Sequence, residues 1–292
     1  MLKKKTQLWP IVFIGPHAVI FILFFLVPAI FGIYISFTRW TLFDTPEWVG
    51  FANFKELFFD TNSIYHDQLV NGLGATLIFV LLTVPLGIIV PLFLATLLQV
   101  KTPLQKFFQA VFYLPTLFAV SAVMLIWLFL LSLSYGPLPK WFGLTTNIPS
   151  TQPWAWVALV GITVWWTMGQ NLIIYVAALG GVPKEQIEAA RLDGTNAWQR
   201  FRYVQIPSIR FPLFFTIVTT TIAQFNVYGQ PLMFTRGGPN NSTKVLLMNI
   251  QENAFGAGIP AAGMASAMAV VLGACIMVVS AIQFFVLRRK GD

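Results

Sequence analysis

Residues 188–207 read EAARLDGTNAWQRFRYVQIP, a charged segment with one glycine between long apolar runs. Just before it, Pro183 suits the first position of a helix. Residues 184–193 are good or tolerable helix formers, and Gly194 can adopt the left-handed conformation that ends a helix. The segment therefore predicts one short helix that ends at Gly194.

A second short helix is predicted directly after this turn. Thr195 or Asn196 can cap its N-terminus, the helix runs to Gln205, and Pro207 then breaks the helical pattern. The result is a charged helical hairpin at a membrane face. An interfacial linker, whose basic residues only orient the chain, is the alternative. The full spacing from Glu188 to Pro207 favours the hairpin because it needs several independent coincidences.

The composition places the chain in a membrane. Hydrophobic residues make up 57% of its 292 residues, charged residues make up 10%, and the mean hydropathy is +0.74. The chain is therefore far more apolar than a soluble domain. Cys275 is the single cysteine, so disulfides and cysteine-based metal sites within the chain are excluded. His17 and His66 each stand alone, and a solvated or hydrogen-bonded histidine is favoured over a metal ligand.

Six apolar stretches are long enough to cross a bilayer as helices, at about 20 residues per crossing. They lie at 9–38, 69–99, 107–133, 154–180, 211–234 and 261–287. Several contain proline, which predicts kinks or tilt. The proline set is Pro16, Pro28, Pro85, Pro91 and Pro115. The first stretch is too long for a signal peptide and lacks a small-residue cleavage site, so it is expected to be a retained span.

The basic residues predict the orientation. With the N-terminus inside, 13 Lys and Arg residues face the cytoplasm and five face outside, as the positive-inside bias requires. The inner set is Lys3, Lys4, Lys5, Lys101, Lys106, Lys184, Arg191, Arg200, Arg202, Arg210, Arg288, Arg289 and Lys290; the outer set is Arg39, Lys55, Lys140, Arg236 and Lys244. Both termini are therefore predicted to be cytoplasmic. The net charge of +8 is an insertion signal and an attraction to membrane lipid, with no need for nucleic acid.

Two motifs resemble sequences of ABC importer permeases. IEAARLDG at 187–194, followed by WQRF at 198–201, is similar to the cytoplasmic loop of the carbohydrate-uptake branch, and TRGGP at 235–239 is similar to a second motif of that branch. The usual Ile-x-Leu-Pro appears here as VQIP at 204–207, a conservative departure. In that family the loop docks into a groove on a separate ATPase subunit. The resemblance implies that the ATPase-coupling residues are Glu188, Ala189, Ala190, Arg191, Asp193 and Gly194.

The resemblance covers nearly the whole chain, because 28–38, 48–54 and the Arg288-Arg289 tail are also similar to the family. The opening segments look most like the first permease subunit of a maltose-type transporter, without its extra N-terminal spans and large outer domain. The resemblance implies an all-α, integral membrane, type I ABC importer permease fold with six transmembrane helices. We expect one transmembrane permease domain over 1–292, with the coupling-helix loop at 183–207.

Two polar clusters in otherwise apolar spans predict a sugar site. A site within the membrane needs amides, hydroxyls and aromatic faces that line a cavity. The resemblance implies sugar contacts at Trp166, Thr167, Gln170, Thr220 and Gln224, and Asn226 and Tyr228 complete the predicted set. The alternative is that these Thr, Asn and Gln side chains pack helices together. At the outer end of the fifth span, Gly237, Gly238 and Pro239 predict a turn, and the resemblance implies that they contact the external binding protein.

The predicted function is half of the translocation pathway of an ATP-driven, binding-protein-dependent sugar importer that uses alternating access, in a bacterial or archaeal cytoplasmic (inner) membrane. The expected partners are a second homologous permease, two ATP-binding subunits and an extracytoplasmic sugar-binding protein. The chain contains no Gly-x-x-x-x-Gly-Lys-Ser/Thr loop, so ATP and Mg are expected on the ATPase subunit, with no cofactor, metal or catalytic residue here. A self-contained secondary carrier would want an ionisable residue deep in a span, and a membrane enzyme would want paired carboxylates or a nucleophile beside a base.

Overall fold

A computed structural model describes residues 8–99 and 104–289, without the side chains of 8–11 and 287–289. The predicted cytoplasmic charges at Lys3, Lys4, Lys5, Lys101 and Lys290 lie outside the described residues, and so do the side chains of Arg288 and Arg289. The predicted orientation of the termini stays a prediction.

Helices make up nearly all of the regular structure in the described ranges. The α-helices are α1 (Leu8–Phe21), α2 (Val27–Ile35), α3 (Ala52–Phe59), α4 (Ile64–Leu97), α5 (Gln105–Tyr113), α6 (Val120–Leu130), α7 (Pro137–Phe142), α8 (Trp154–Gly180), α9 (Lys184–Leu192), α10 (Ala197–Arg200), α11 (Ile206–Ser208), α12 (Arg210–Phe225), α13 (Gly229–Phe234), α14 (Leu246–Phe255) and α15 (Ala262–Arg289). π-Helical turns lie at Ile22–Leu26 and Phe201–Gln205, 3₁₀ turns at Leu114–Leu117 and Ile148–Ser150, and strands β1 (Thr38–Arg39) and β2 (Glu47–Trp48) form one small antiparallel ladder.

In the described part of the chain, four helical segments are long and apolar enough to cross a membrane: Val12–Ile35, Ile64–Leu97, Trp154–Gly180 and Ala262–Val286. Two bent pairs supply up to two more, Gln105–Leu117 with Val120–Leu130 at 99° and Ala197–Ser208 with Arg210–Phe225 at 75°. If each bent pair is one span, the six predicted spans are all present.

The third and fifth predicted spans are not the continuous helices that their apolar sequences indicated. The third bends sharply after the 3₁₀ turn that contains Pro115, the kink that this proline predicts. The fifth was predicted to continue to Phe234, but α12 ends at Phe225 and α13 begins at Gly229. Asn226 causes part of this break, because its Nδ2 donates to the Ile222 carbonyl oxygen at 2.8 Å and competes with the helical backbone.

One compact unit contains the described residues up to Val70 together with Asn249–Ala274. Strands β1 and β2 of this unit form a β-hairpin that is held by Asn53. This residue is 7% exposed and donates through Nδ2 to the carbonyl oxygens of Ser36 and Thr38, both at 2.9 Å. At the tip of this β-hairpin, the Thr41 backbone N–H donates to the Asp44 carboxylate at 3.0 Å and lowers the pKa of that carboxyl. This contact therefore stabilises the turn at neutral pH and is lost as the pH falls through the lowered pKa.

The second unit contains the described residues of Asn71–Met248 and those from Cys275 onward. Within it α5 and the 3₁₀ turn Leu114–Leu117 pack on α8, and α13 packs on α6. Gly169 permits the first contact, because a Cβ there would meet Thr116 Oγ1 at 2.5 Å and Tyr113 Cα at 2.9 Å. The Thr116 hydroxyl also donates to the Trp166 carbonyl oxygen at 2.9 Å, so α8 and the bent third span are closely joined.

Substitution of Gly169 by Ala should destabilise the protein by about 1–3 kcal/mol, because the added methyl group overpacks a contact made partly by backbone. Gly161→Ala is the matched control, since it lies in the same helix and its added Cβ has no neighbour within 4 Å. Thermal unfolding of the purified protein in detergent measures both. Equal melting temperatures for the two variants would contradict the close contact.

Candidate functional site

The predicted hairpin is present, and its first helix ends where the sequence indicated. Helix α9 covers Lys184–Leu192, and Gly194 has a φ of +75°, a conformation that other residues resist. The Asp193 N–H donates to the Ala189 carbonyl oxygen and the Gly194 N–H to that of Arg191, both at 3.0 Å. These bonds close the C-terminal end of the helix at the predicted position.

The second helix begins with a capping box. Asn196 Oδ1 accepts from the Gln199 N–H at 2.9 Å, and Gln199 Oε1 accepts from the Asn196 N–H at 2.8 Å. Of the two predicted caps, Asn196 is therefore the one used. Thr195 instead donates through its hydroxyl to the Ala190 carbonyl oxygen at 2.5 Å, and Arg200 donates to the Thr195 carbonyl oxygen. The two helices are thus bonded to each other across the turn.

The predicted end of this helix was wrong, because helical backbone continues through Pro207 to Ser208. The reason is the π-turn Phe201–Gln205, where the Ile206 N–H bonds to the Phe201 carbonyl oxygen. Pro207 then occupies the first turn of α11, where a missing N–H costs little. The break comes instead at Ile209, before α12.

Most of the six predicted ATPase-coupling residues lie on an exposed surface. Glu188, Ala189, Arg191, Asp193 and Gly194 are exposed. Ala190 is only 8% exposed, since it faces the inside of the hairpin. An open groove of about 530 Å³ runs beside them. It is lined by Gln186, Ala189, Ala190, Asp193, Tyr203, Val204, Pro207 and Ser208.

The hairpin also carries large apolar side chains that face outward. Leu192 is 90% exposed, Trp198 65% and Tyr203 69%. Exposed apolar side chains of this size on one surface are typical of an interaction site. The hairpin therefore carries a groove, charges and exposed apolar groups.

The base of the hairpin is packed against the ends of α4 and α8. A buried apolar cluster there contains Ala95, Leu98, Leu172, Tyr175, Leu179, Val182 and Ile209, with Ile187, Val204 and Ile206 packed against it. Gln205 Nε2 donates to Gln99 Oε1 at 3.0 Å. The hairpin is therefore an integral part of the helical unit.

Several residues of the predicted sugar set already have hydrogen bonds within the chain. The Thr167 hydroxyl donates to the Thr163 carbonyl oxygen at 2.8 Å, and Trp166 Nε1 donates to the Phe118 carbonyl oxygen at 3.1 Å. Asn226 is bonded to its own helix, as described above. Tyr228 is half-buried against the apolar core. The Trp166 bond joins α8 to the bent third span, as in the alternative in which polar residues pack helices together, whereas the Thr167 and Asn226 bonds stay within one helix.

Gln170 and Gln224 differ from these residues. Neither side chain hydrogen-bonds to any residue that the structure describes, although Gln224 is only 6% exposed and Gln170 lies at the surface of α8. An amide has two donors and an acceptor, and leaving them unpaired in an apolar environment is costly. Of the seven predicted residues, these two have the most free capacity to bind a ligand.

The polar contacts between α8 and α12 were not predicted from the sequence. Asn171 Nδ2 donates to Thr220 Oγ1 at 3.0 Å, and the Tyr175 hydroxyl is 2.6 Å from Thr216 Oγ1. The signal was present as four-residue spacing on both helices, which places each pair on one helix face. Thr220 is therefore bonded to a neighbouring helix, and Gln224 lies one turn further along that face.

The outer motif is a compact hydrogen-bonded turn, as predicted. Gly237 has a φ of +83°, and the Thr243 hydroxyl donates to the Gly238 carbonyl oxygen at 2.8 Å. The Ser242 hydroxyl, which donates to the Pro239 carbonyl oxygen at 2.6 Å, accepts from Gln152 Nε2 at 2.7 Å. The motif is thus fixed to the segment that precedes α8. In the described ranges, His, Cys, Asp and Glu form no group of three that could hold a metal ion.

Residues 64–292 match the family described as the binding-protein-dependent transport system inner membrane component. The chain belongs to this family. It is 31% identical over 291 residues to the probable starch degradation products transport system permease protein AmyD of Thermoanaerobacterium thermosulfurigenes, with 98% of this chain and 96% of the relative covered. It is 30% identical to the sn-glycerol-3-phosphate transport system permease protein UgpA of Pectobacterium atrosepticum, with 98% and 96% covered.

A solved structure shows the same fold. It is described as a bacterial alginate ABC transporter in complex with an alginate pentasaccharide-bound periplasmic protein, and one of its chains matches with a TM-score of 0.83, 20% identity, and coverage of 100% of this chain and 98% of that chain. The predicted family and the type I ABC importer permease fold are therefore confirmed. The chain is a membrane permease component of a binding-protein-dependent importer.

Substitution of Asn196 by Ala should loosen the second helix of the hairpin, because loss of an N-cap costs about 0.5–2 kcal/mol. Amide hydrogen exchange of residues 197–205 in the purified protein should become faster. Asn196→Ser is the control, since its hydroxyl can also accept from the Gln199 N–H. If the Ala and Ser variants exchange at the same rate, the capping box does not stabilise the hairpin.

Proposed function

We propose that this permease imports a sugar, an oligosaccharide or glycoside, and binds it at the polar face of α8 and α12. The observation that carries the proposal is the pair Gln170 and Gln224, whose amides have no hydrogen bond within the described chain. Sugar hydroxyl groups can both donate to and accept from such amides. Trp165, which is 39% exposed, offers an aromatic surface on α8. One relative is named for the transport of starch degradation products, which supports a carbohydrate substrate.

A neutral sugar fits this face better than an acidic one. Helix α8 contains no Asp, Glu, Lys or Arg, and the single ionisable residue of α12 is Arg210 at its first position. An anionic substrate in a membrane cavity needs a paired cation because burial of an unpaired charge is costly. One relative is named for sn-glycerol-3-phosphate, so this substrate is the informative competitor.

The remaining parts of the importer are proposed from the exposed hairpin and from the family resemblance; in the outer turn, Gly237 is buried and Gly238 and Pro239 are half-buried. The hairpin at 183–207 docks on one of two ATP-binding subunits, which bind ATP and Mg, and this chain needs no cofactor. Exposed Glu188, Ala189, Arg191, Asp193 and Gly194 contact that subunit, with Ala190 shaping the hairpin from inside. The turn of Gly237, Gly238 and Pro239 contacts an extracytoplasmic sugar-binding protein, and a second homologous permease supplies the other half of the pathway. The assembly lies in a bacterial or archaeal cytoplasmic membrane.

In this mechanism the hairpin transmits movement from the ATPase to the substrate face. It is inserted between α8 and α12, the two helices that carry Gln170 and Gln224. When the ATPase subunits close on ATP, the hairpin moves and both helices follow. Access to the sugar then alternates between the two sides of the membrane.

The substrate proposal is tested by ATP-dependent uptake of maltotriose and of glycerol 3-phosphate into vesicles that contain the whole transporter. Gln224→Leu should raise the KM for maltotriose about tenfold, the effect of one or two lost neutral hydrogen bonds. Thr219→Val is the control, because this exposed hydroxyl donates only within its own helix. Preferred uptake of glycerol 3-phosphate, or an unchanged KM in Gln224→Leu, would contradict the proposal.

The coupling proposal is tested by Glu188→Gln and Gly194→Val. We expect both to reduce uptake at least tenfold while the complex still assembles, the first by removing a charge at the docking surface and the second by straining a residue at φ +75°. Glu185→Gln, in the first turn of the same helix, should have little effect. Uptake by this chain alone, without ATP or partners, would instead support a self-contained secondary carrier.

A further inference from the structure

Asn171 joins three helices within one compact unit. It lies on α8, is 8% exposed, and donates through Nδ2 both to the Gly87 carbonyl oxygen of α4 at 2.9 Å and to Thr220 Oγ1 of α12 at 3.0 Å. A backbone carbonyl can only accept, so the amide must present its nitrogen to Gly87. Both donors of this side chain are therefore used between helices.

A second contact lies one turn closer to the hairpin. The Tyr175 hydroxyl, in a side chain that is fully buried, is 2.6 Å from Thr216 Oγ1, and Thr216 is also fully buried. Because α8 and α12 are antiparallel neighbours joined by the hairpin, the two bonds connect them at successive turns above it. In an apolar interior such bonds have no water to exchange with. Separation of the helices would leave the Tyr175 hydroxyl and one Asn171 donor without these partners, although Thr216 would keep the bonds to its own helix.

The same three helices are held together below these bonds. Gln205 of the hairpin bonds to Gln99 just after α4, and the apolar cluster around Tyr175 and Ile209 fills the space between them. Gly87 has no side chain, and a Cβ there would be 3.6 Å from Thr220 Cγ2, so α4 and α12 are close neighbours at the level of Asn171. Sliding of α12 against α8 would have to break the bonds made by Asn171 and Tyr175.

We propose that Asn171 and Tyr175 are positioning residues that make α4, α8 and α12 move as one body with the hairpin. They act through the helices that they join, and need not touch the sugar. Their role is to prevent the hairpin from moving independently of the substrate face. This inference rests on the proposed importer function, because the motion that it describes is driven by the ATPase subunits.

The first test measures the number of maltotriose molecules imported per ATP hydrolysed by the assembled transporter in vesicles. Asn171→Leu and Tyr175→Phe should each lower this ratio at least threefold while ATP hydrolysis continues. Thr163→Val is the control, since Thr163 is a fully buried residue of α8 whose hydroxyl donates only to the Leu159 carbonyl oxygen of the same helix. Tyr175→Phe preserves the aromatic ring, so it gives a result even if Asn171→Leu fails to assemble.

An unchanged ratio in the variants that assemble, with only a lower melting temperature, would overturn the proposal and leave the two residues a purely stabilising role.

If the unmodified transporter hydrolyses ATP but imports no maltotriose, the substrate proposal has failed. A second measurement then tests whether α8 and α12 move as one rigid body. Spin labels are placed at exposed Ala177 of α8 and exposed Thr219 of α12, with the single Cys275 replaced by Ser. Their distance should be the same with and without ATP, and should broaden or change in Tyr175→Phe. A distance that changes on ATP binding in the otherwise unmodified chain would overturn the proposal.

Discussion

The interior of a membrane contains no water to hydrogen-bond, so every polar group on a spanning helix needs a partner in the protein or in a water-filled pathway. This constraint explains the side-chain chemistry of α8 and α12. Thr163, Thr167 and Thr221 donate back to carbonyl oxygens of their own helices. Asn171 and Tyr175 reach across to α12 instead. The amides of Gln170 and Gln224 have no hydrogen bond within the described chain, and in the proposed function they bind the sugar.

The constraint is not met everywhere in the described chain. Ser280 Oγ and Gln283 Oε1 on α15 are buried without a hydrogen-bond partner, although Gln283 Nε2 donates to Thr221 Oγ1 at 2.9 Å. The contact of α15 with α12 is therefore polar but incompletely satisfied, whereas Asn171 of α8 uses one amide donor on Thr220 of α12 and the other on Gly87 of α4. Incomplete satisfaction makes a helix contact easier to break. The α8–α12 pair is consequently the better candidate for a rigid body.

Local chemistry determined which parts of the fold could be predicted. Gly194 was identified correctly, and the N-cap was narrowed to Thr195 or Asn196, because a left-handed turn and an N-cap each depend on a few neighbouring residues. Pro207 was assigned wrongly as a helix break, because the π-turn before it shifts the hydrogen-bond register and no pattern in the sequence indicated that turn. The break at Asn226 also escaped prediction, because the fifth span was predicted from hydropathy, which does not distinguish a continuous helix from a broken one.

The residue types of the candidate site on α8 and α12 could be predicted from the sequence. Which of these residues bond to neighbouring helices and which are free to bind a ligand could not. Thr220 and Gln224 share a helix face and have similar polarity, so the sequence gives both the same role. In the fold Thr220 accepts a bond from Asn171, whereas the Gln224 amide has none. This difference depends on Gly87 of α4, whose carbonyl oxygen takes the other Asn171 donor and which lies 84 residues away along the chain. A residue's freedom to bind substrate is thus decided by which neighbours are already bonded, and long-range helix contacts determine those neighbours.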